Sequence, residues 1–111
     1  MRNSYSIILF QVGDFVLVEL KLEEGRNVGK MVCYVAKVLE VLDNGRRLNL
    51  SFLRLRSAFS TDAFTFPPIE DEEEVTRDQV KGVLVTTKGA TKRQSDLIKV
   101  SPPLDSFNLF R

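Results

Sequence analysis

The chain has 111 residues, 43% hydrophobic and 28% charged, with 16 basic against 15 acidic residues and a net charge of +1. This is one domain of ordinary globular composition, neither a polycation nor a disordered acidic chain. Histidine is absent and Cys33 is the only cysteine, which excludes histidine-based triads, zinc–histidine sites, multi-cysteine metal sites and an internal disulfide.

Residues 1–11 read as an N-terminal extension, and their apolar run, Ile7 to Phe10, is shorter than the about 7–15 residues of a secretory signal. No later stretch approaches the about 20 apolar residues of a membrane span. The expectation is therefore an intracellular protein without a membrane partner, and these features do not separate nucleus from cytoplasm. Val12 to Leu22 is rich in β-branched and aromatic residues after Gly13-Asp14 and reads as a strand. A polar, glycine-punctuated loop follows, Glu23 to Lys30. Its Gly25-Arg26-Asn27-Val28-Gly29-Lys30 is one residue short of a phosphate-binding loop, and Met31 stands where a magnesium-binding hydroxyl is required.

Met31 to Leu42 alternates, with Val32, Tyr34, Ala36 and Val38 on one face and Cys33, Val35, Lys37 and Leu39 on the other. A strand this long is expected to bulge near Val38–Leu39. Asp43-Asn44-Gly45 predicts a tight hairpin turn, because Asn and Gly tolerate positive φ. Arg46 to Arg56 returns as a strand whose phase breaks at Phe52–Leu53, where a second bulge is expected. Asn49-Leu50-Ser51 is formally a glycosylation sequon, but it lies within this strand.

Phe64-Thr65-Phe66 is a short strand closed by two prolines, and Glu70 to Glu74 reads as an exposed acidic loop. Thr76-Arg77-Asp78-Gln79 fits a capping box, with Val75 and Val80 placed as a hydrophobic staple around a single helical turn. Val83 to Thr87 is the expected closing strand. Residues 88–111 read as a C-terminal extension or tail, despite one apolar cluster at Leu97–Val100.

Short strands, one tight turn and one helical turn describe an all-β chain, a small bent antiparallel barrel over residues 12–87. Val12-Gly13-Asp14-Phe15-Val16-Leu17-Val18, then Tyr34-Val35-Ala36-Lys37-Val38, then Leu50-Ser51-Phe52-Leu53-Arg54 resembles the opening strands of SH3-like chromatin barrels of the Tudor, BAH, PWWP and Agenet groups. The resemblance implies a chromatin-reader-like interaction module, nuclear rather than cytoplasmic. The absence of histidine and of a placed nucleophile and base predicts that it is not an enzyme, and no cofactor or metal is expected. It departs from the methyl-lysine readers in having no tryptophan.

Two constellations are candidates for binding. The first joins the aromatic residues Tyr34, Phe59 and Phe64 to the acids Glu70, Asp71, Glu72, Glu73 and Glu74. Aromatic faces and carboxylates both attract cations, so the expected partner is a basic, histone-tail-like peptide or protein, methylated or not. The second is the acid-free set Arg46, Arg47, Arg54 and Arg56. Outside the acidic run the chain has 16 basic and ten acidic residues, so a basic face holding a DNA or RNA backbone is the alternative, as in integrase and transposase accessory barrels. Cys33 has no histidine to activate it and reads as a packing residue.

Overall fold

A computed structural model describes residues 10–26, 28–56, 63–88, 98–101, 104 and 107–109. They form eight strands: β1 (Phe15–Lys21), β2 (Met31–Leu42), β3 (Arg47–Phe52), β4 (Arg54–Leu55), β5 (Ala63–Thr65), β6 (Glu72–Thr76), β7 (Val80–Lys88) and β8 (Ile98–Ser101). The only helical segments among them are two 3-10 turns, η1 (Asp43–Gly45) and η2 (Arg77–Gln79). All the ladders are antiparallel, in the order β4-β5-β8-β7-β1-β2-β3-β6, so the all-β expectation holds.

The centre of this sheet is buried on both faces. Val16 and Val18 of β1 join Ala36, Val38, Leu48, Leu50, Phe52 and Val75 in one core cluster. The intervening Leu17 joins Cys33 and Val35 in a second cluster with Leu53, Phe64, Leu84, Ile98 and Val100. Consecutive strand residues point to opposite faces, so an unbroken apolar run such as Phe15-Val16-Leu17-Val18 needs cover on each side. The sheet provides it by bending twice. At Leu53 the chain leaves β3 and continues as β4, the partner of β5. Strand β7 pairs with β1 through Val80–Leu84 and with β8 through Val85–Lys88.

Several local expectations hold. The register between β2 and β3 shifts between Val38 and Glu40, where the bulge was expected. The phase break at Phe52–Leu53 is present, but as the passage from β3 to β4 and not as the expected bulge, and it turns Leu53 into the second core while Leu48, Leu50 and Phe52 stay in the first. The capping box at η2 forms, with Thr76 N–H donating to Gln79 Oε1 at 2.8 Å. This compact turn carries the chain from β6 to β7, so those strands must lie close across a curled sheet. No ladder joins β6 to β7 among the described residues.

Three expectations are corrected. The turn at residues 43–45 is longer than a two-residue hairpin: Asp43, Asn44 and Gly45 all take positive φ (51°, 57° and 88°), and β3 resumes only at Arg47. Asp and Asn tolerate this conformation better than other non-glycine residues, which lets one 3-10 turn absorb the extra length. The acidic run is a loop only at Glu70 and Asp71. Glu72–Thr76 forms β6 against β3, because Val75 buries beside Leu48 and anchors the register. Finally, the described part of residues 88–111 contributes to the core instead of forming a loose tail. β8 lies between β5 and β7, and Leu104 and Leu109 are buried in the second cluster. At the other end, Phe10 of the expected N-terminal extension is buried in the first cluster.

Leu48→Ala in the first cluster and Leu104→Ala in the second should each lower stability by about 2–5 kcal/mol in urea unfolding. A loss under about 0.5 kcal/mol at Leu104, the level of an exposed substitution, would show that the C-terminal residues do not belong to the core.

Candidate functional site

Tyr34 stands at the end of the first core where the sheet opens. It pairs with Val18 across β1–β2, and its ring meets Phe52 edge-on with centroids 5.2 Å apart. The last β1–β7 pair is Val18 with Val80, so the residues of β1 beyond Val18 run on without β7 beside them. A groove of about 610 Å³ opens there. Its walls are Leu20, Lys21, Leu22, Glu23 and Glu24 after the bend of β1, Glu73 on β6 and Gln79 on η2, with Tyr34 among them.

Strand geometry explains the meeting of Tyr34 with Glu73. Leu50 pairs with Glu73, and Leu48 with Val75, so Glu73 projects on the face that carries the first core. At the strand end this face is wet, and Glu73 is exposed. Burial raises the Tyr34 phenol pKa above its ordinary 10.0, Asp71 and Glu73 push the same way, and Arg54 opposes. The groove therefore presents one aromatic side chain and three carboxylates, Glu23, Glu24 and Glu73, against one ammonium group, Lys21.

The remaining predicted site residues are dispersed. Phe64 is only 2% exposed and lies in the second core, on the opposite face of β1–β2 from Tyr34, so it is corrected from a cage residue to a packing residue. Phe59 lies outside the described residues. Glu70 lines a different groove, of about 380 Å³, beside Lys37, Ser51 and Phe66-Pro67-Pro68. Asp71 forms an ion pair with Arg54, and Glu74 accepts from Arg47 Nη1 at 2.9 Å. Glu72 is exposed on β6.

These two pairs link the acidic run to the arginine set. Two of the four arginines lie beside these acids: Arg47 of β3 meets Glu74 of the paired β6, and Arg54 of β4 meets Asp71, the residue before β6. Arg46 lines a small pocket with Arg77 and Asp78, while Arg56 is exposed and its N–H donates to the Ala63 carbonyl. The arginines thus do not form one acid-free face. Asp78 has its pKa lowered by a hydrogen bond with the Thr76 side chain, then by one with its own backbone. Cys33 is buried in the second core, and that burial raises its thiol pKa, with Glu19 adding to the effect. Among the described residues, no three acids or cysteines converge as a metal site.

Sequence reasoning missed Glu23, Glu24 and Gln79. The first two were read as part of a solvated loop and the third as a cap alone. The signal for the acids was the β1–β2 hairpin itself: pairing Val18 with Tyr34 necessarily brings the end of β1 beside that ring.

Compared with protein-family models, curated proteins and solved structures, the chain matches none.

The raised phenol pKa has a definite sign in linkage. A folded-state pKa above the unfolded value gives stability that is complete below the unfolded pKa and is lost as pH rises through the folded one. Ultraviolet titration should show a phenol, removed by Tyr34→Phe, that ionises above pH 10.0. Stability should fall with rising pH in that range in the parent chain and fall less in Tyr34→Phe. Ionisation of Tyr34 at or below the ordinary value would contradict its burial.

Proposed function

We propose that this domain is a non-enzymatic interaction module that binds a lysine- or arginine-bearing extended segment of another protein in the Tyr34 groove. The observation that carries this reading is that Glu23, Glu24 and Glu73 line one groove with Tyr34. A lysine ammonium or an arginine guanidinium placed there donates charge-assisted hydrogen bonds to the carboxylates while its stem lies along the phenol ring. The order of strands β1, β2, β3 and β6, with the capped turn leading into β7, supports the resemblance to SH3-like chromatin barrels. A nuclear, histone-tail-like partner fits the same chemistry.

The groove favours an unmethylated cation. Its only ring among the lining residues is Tyr34, whereas a trimethylated ammonium has no N–H to donate and relies on aromatic faces. Duplex binding is less well supported, since Arg47 and Arg54 already face carboxylates.

A short peptide of alternating lysine and threonine should bind at low salt and lose affinity as salt rises. Replacing Glu23, Glu24 and Glu73 together by Gln should weaken binding several-fold and flatten the salt dependence. Tyr34→Ala should speed dissociation, and trimethylation of the lysines should weaken binding. Absence of binding, or a stronger and steeply salt-dependent affinity for nonspecific duplex DNA, would refute the reading.

A further inference from the structure

Strand β6 ends the sheet order, so one of its edges has no neighbouring strand among the described residues. The ladder to β3 fixes which residues face that edge. Phe52 N–H donates to the Asp71 carbonyl at 2.8 Å, and Arg77 N–H donates to the Arg46 carbonyl at 2.9 Å. In an antiparallel pair the bonded residues recur at every second position. Asp71, Glu73, Val75 and Arg77 therefore turn their backbone groups toward β3, while Glu72, Glu74 and Thr76 turn theirs to the open side. Gln79 Oε1 takes the Thr76 N–H at 2.8 Å. Glu72 and Glu74 are left to offer two N–H and C=O sets about 7 Å apart, the repeat of an extended strand.

We infer that the segment bound in the groove adds to β6 as a further antiparallel strand, exchanging backbone hydrogen bonds with Glu72 and Glu74. This rests on the function proposed above and supplies its mode of binding. The occupant is a basic segment of another protein, by charge complementarity. Its residue opposite Glu73 projects on the face of Tyr34, where a lysine meets the groove carboxylates. Its neighbours lie opposite Glu72 and Glu74. A second copy of this chain is disfavoured at the same edge, because β6 against β6 sets carboxylates across from carboxylates. Edge charge usually prevents strand addition. Here its single sign rejects self-pairing and admits a cationic strand.

The antiparallel register separates the two kinds of amide in the lysine–threonine peptide. With lysines opposite Glu73, the threonine N–H groups bond β6 and the lysine N–H groups point to solvent. N-methylation of the threonine amides should reduce affinity about tenfold or more, as expected for two lost hydrogen bonds. N-methylation of the lysine amides should change it little. With the unmodified peptide bound, the Glu72 and Glu74 amides should be protected from hydrogen exchange. If the unmodified peptide fails to bind, this inference falls together with the function it rests on. If it binds in a manner sensitive to Tyr34→Ala, yet both methylated peptides bind equally and those amides stay unprotected, strand addition alone is overturned.

Discussion

Strands β1 and β2 carry apolar residues on both faces, and this demand for two-sided burial organises the molecule. Val16, Val18, Ala36 and Val38 face one way while Leu17, Cys33 and Val35 face the other, all 3% exposed or less. A sheet with one wet face would leave three of these side chains in water, at about 1.5–3 kcal/mol for each fully buried Val- or Leu-sized group. The first set is covered by the curl of β3 and β6 over the hairpin. The second is covered by β5, β8, Leu104 and Leu109. The bends at Leu53 and within β7 allow the same strands to line both cores.

The groove follows from how that curl ends. The capped η2 turn delivers β7 beside β1 only as far as Val18, and among the described residues β6 has a neighbouring strand on one side only. Between the end of β1 and the face of β6 there is room that neither core fills. The sequence supplies polar side chains there: Glu23, Glu24, Glu73 and Gln79. Tyr34 suits the boundary because its ring packs on Phe52 while the residue also lines the groove, a division that an amphipathic ring permits.

The first core was legible in the sequence because its residues repeat with period two over three strands in succession, ending at Leu50 and Phe52. The second was not. Its cover comes from Ile98, Val100, Leu104 and Leu109, set in a polar and proline-bearing stretch whose local pattern suggests a tail. Phe64 and Phe66 show the same difficulty on a smaller scale. Both belong to one short apolar motif and, two residues apart, would share a face of a continuing strand. Yet β5 ends at Thr65, so Phe64 is 2% exposed and Phe66, beyond the strand and before Pro67, is 40% exposed. The acidic run misled for a related reason. Contiguous carboxylates repel, which favours solvation, but the relief comes from Arg47 and Arg54, lying 27 and 17 residues from their partners. Such separations are set by register, and register is a tertiary property.

That pairing also decides where the electrostatic character of the surface resides. Exposed ion pairs such as Arg47–Glu74 contribute only about 0–1 kcal/mol to stability, so their main effect is to cancel local fields. With Glu74 and Asp71 set against arginines, the acidic run no longer acts as one body of charge. Glu73 is separated from it functionally and joined to Glu23 and Glu24 across the groove. The net charge of the whole chain is only +1, and at physiological salt exposed charges are screened beyond about 8 Å. Long-range steering of a partner is accordingly weak. On the proposed function, selection falls on contact at the groove, where three carboxylates stand with one lysine and a half-buried ring, so a ligand is distinguished by the placement of one cation more than by its total charge.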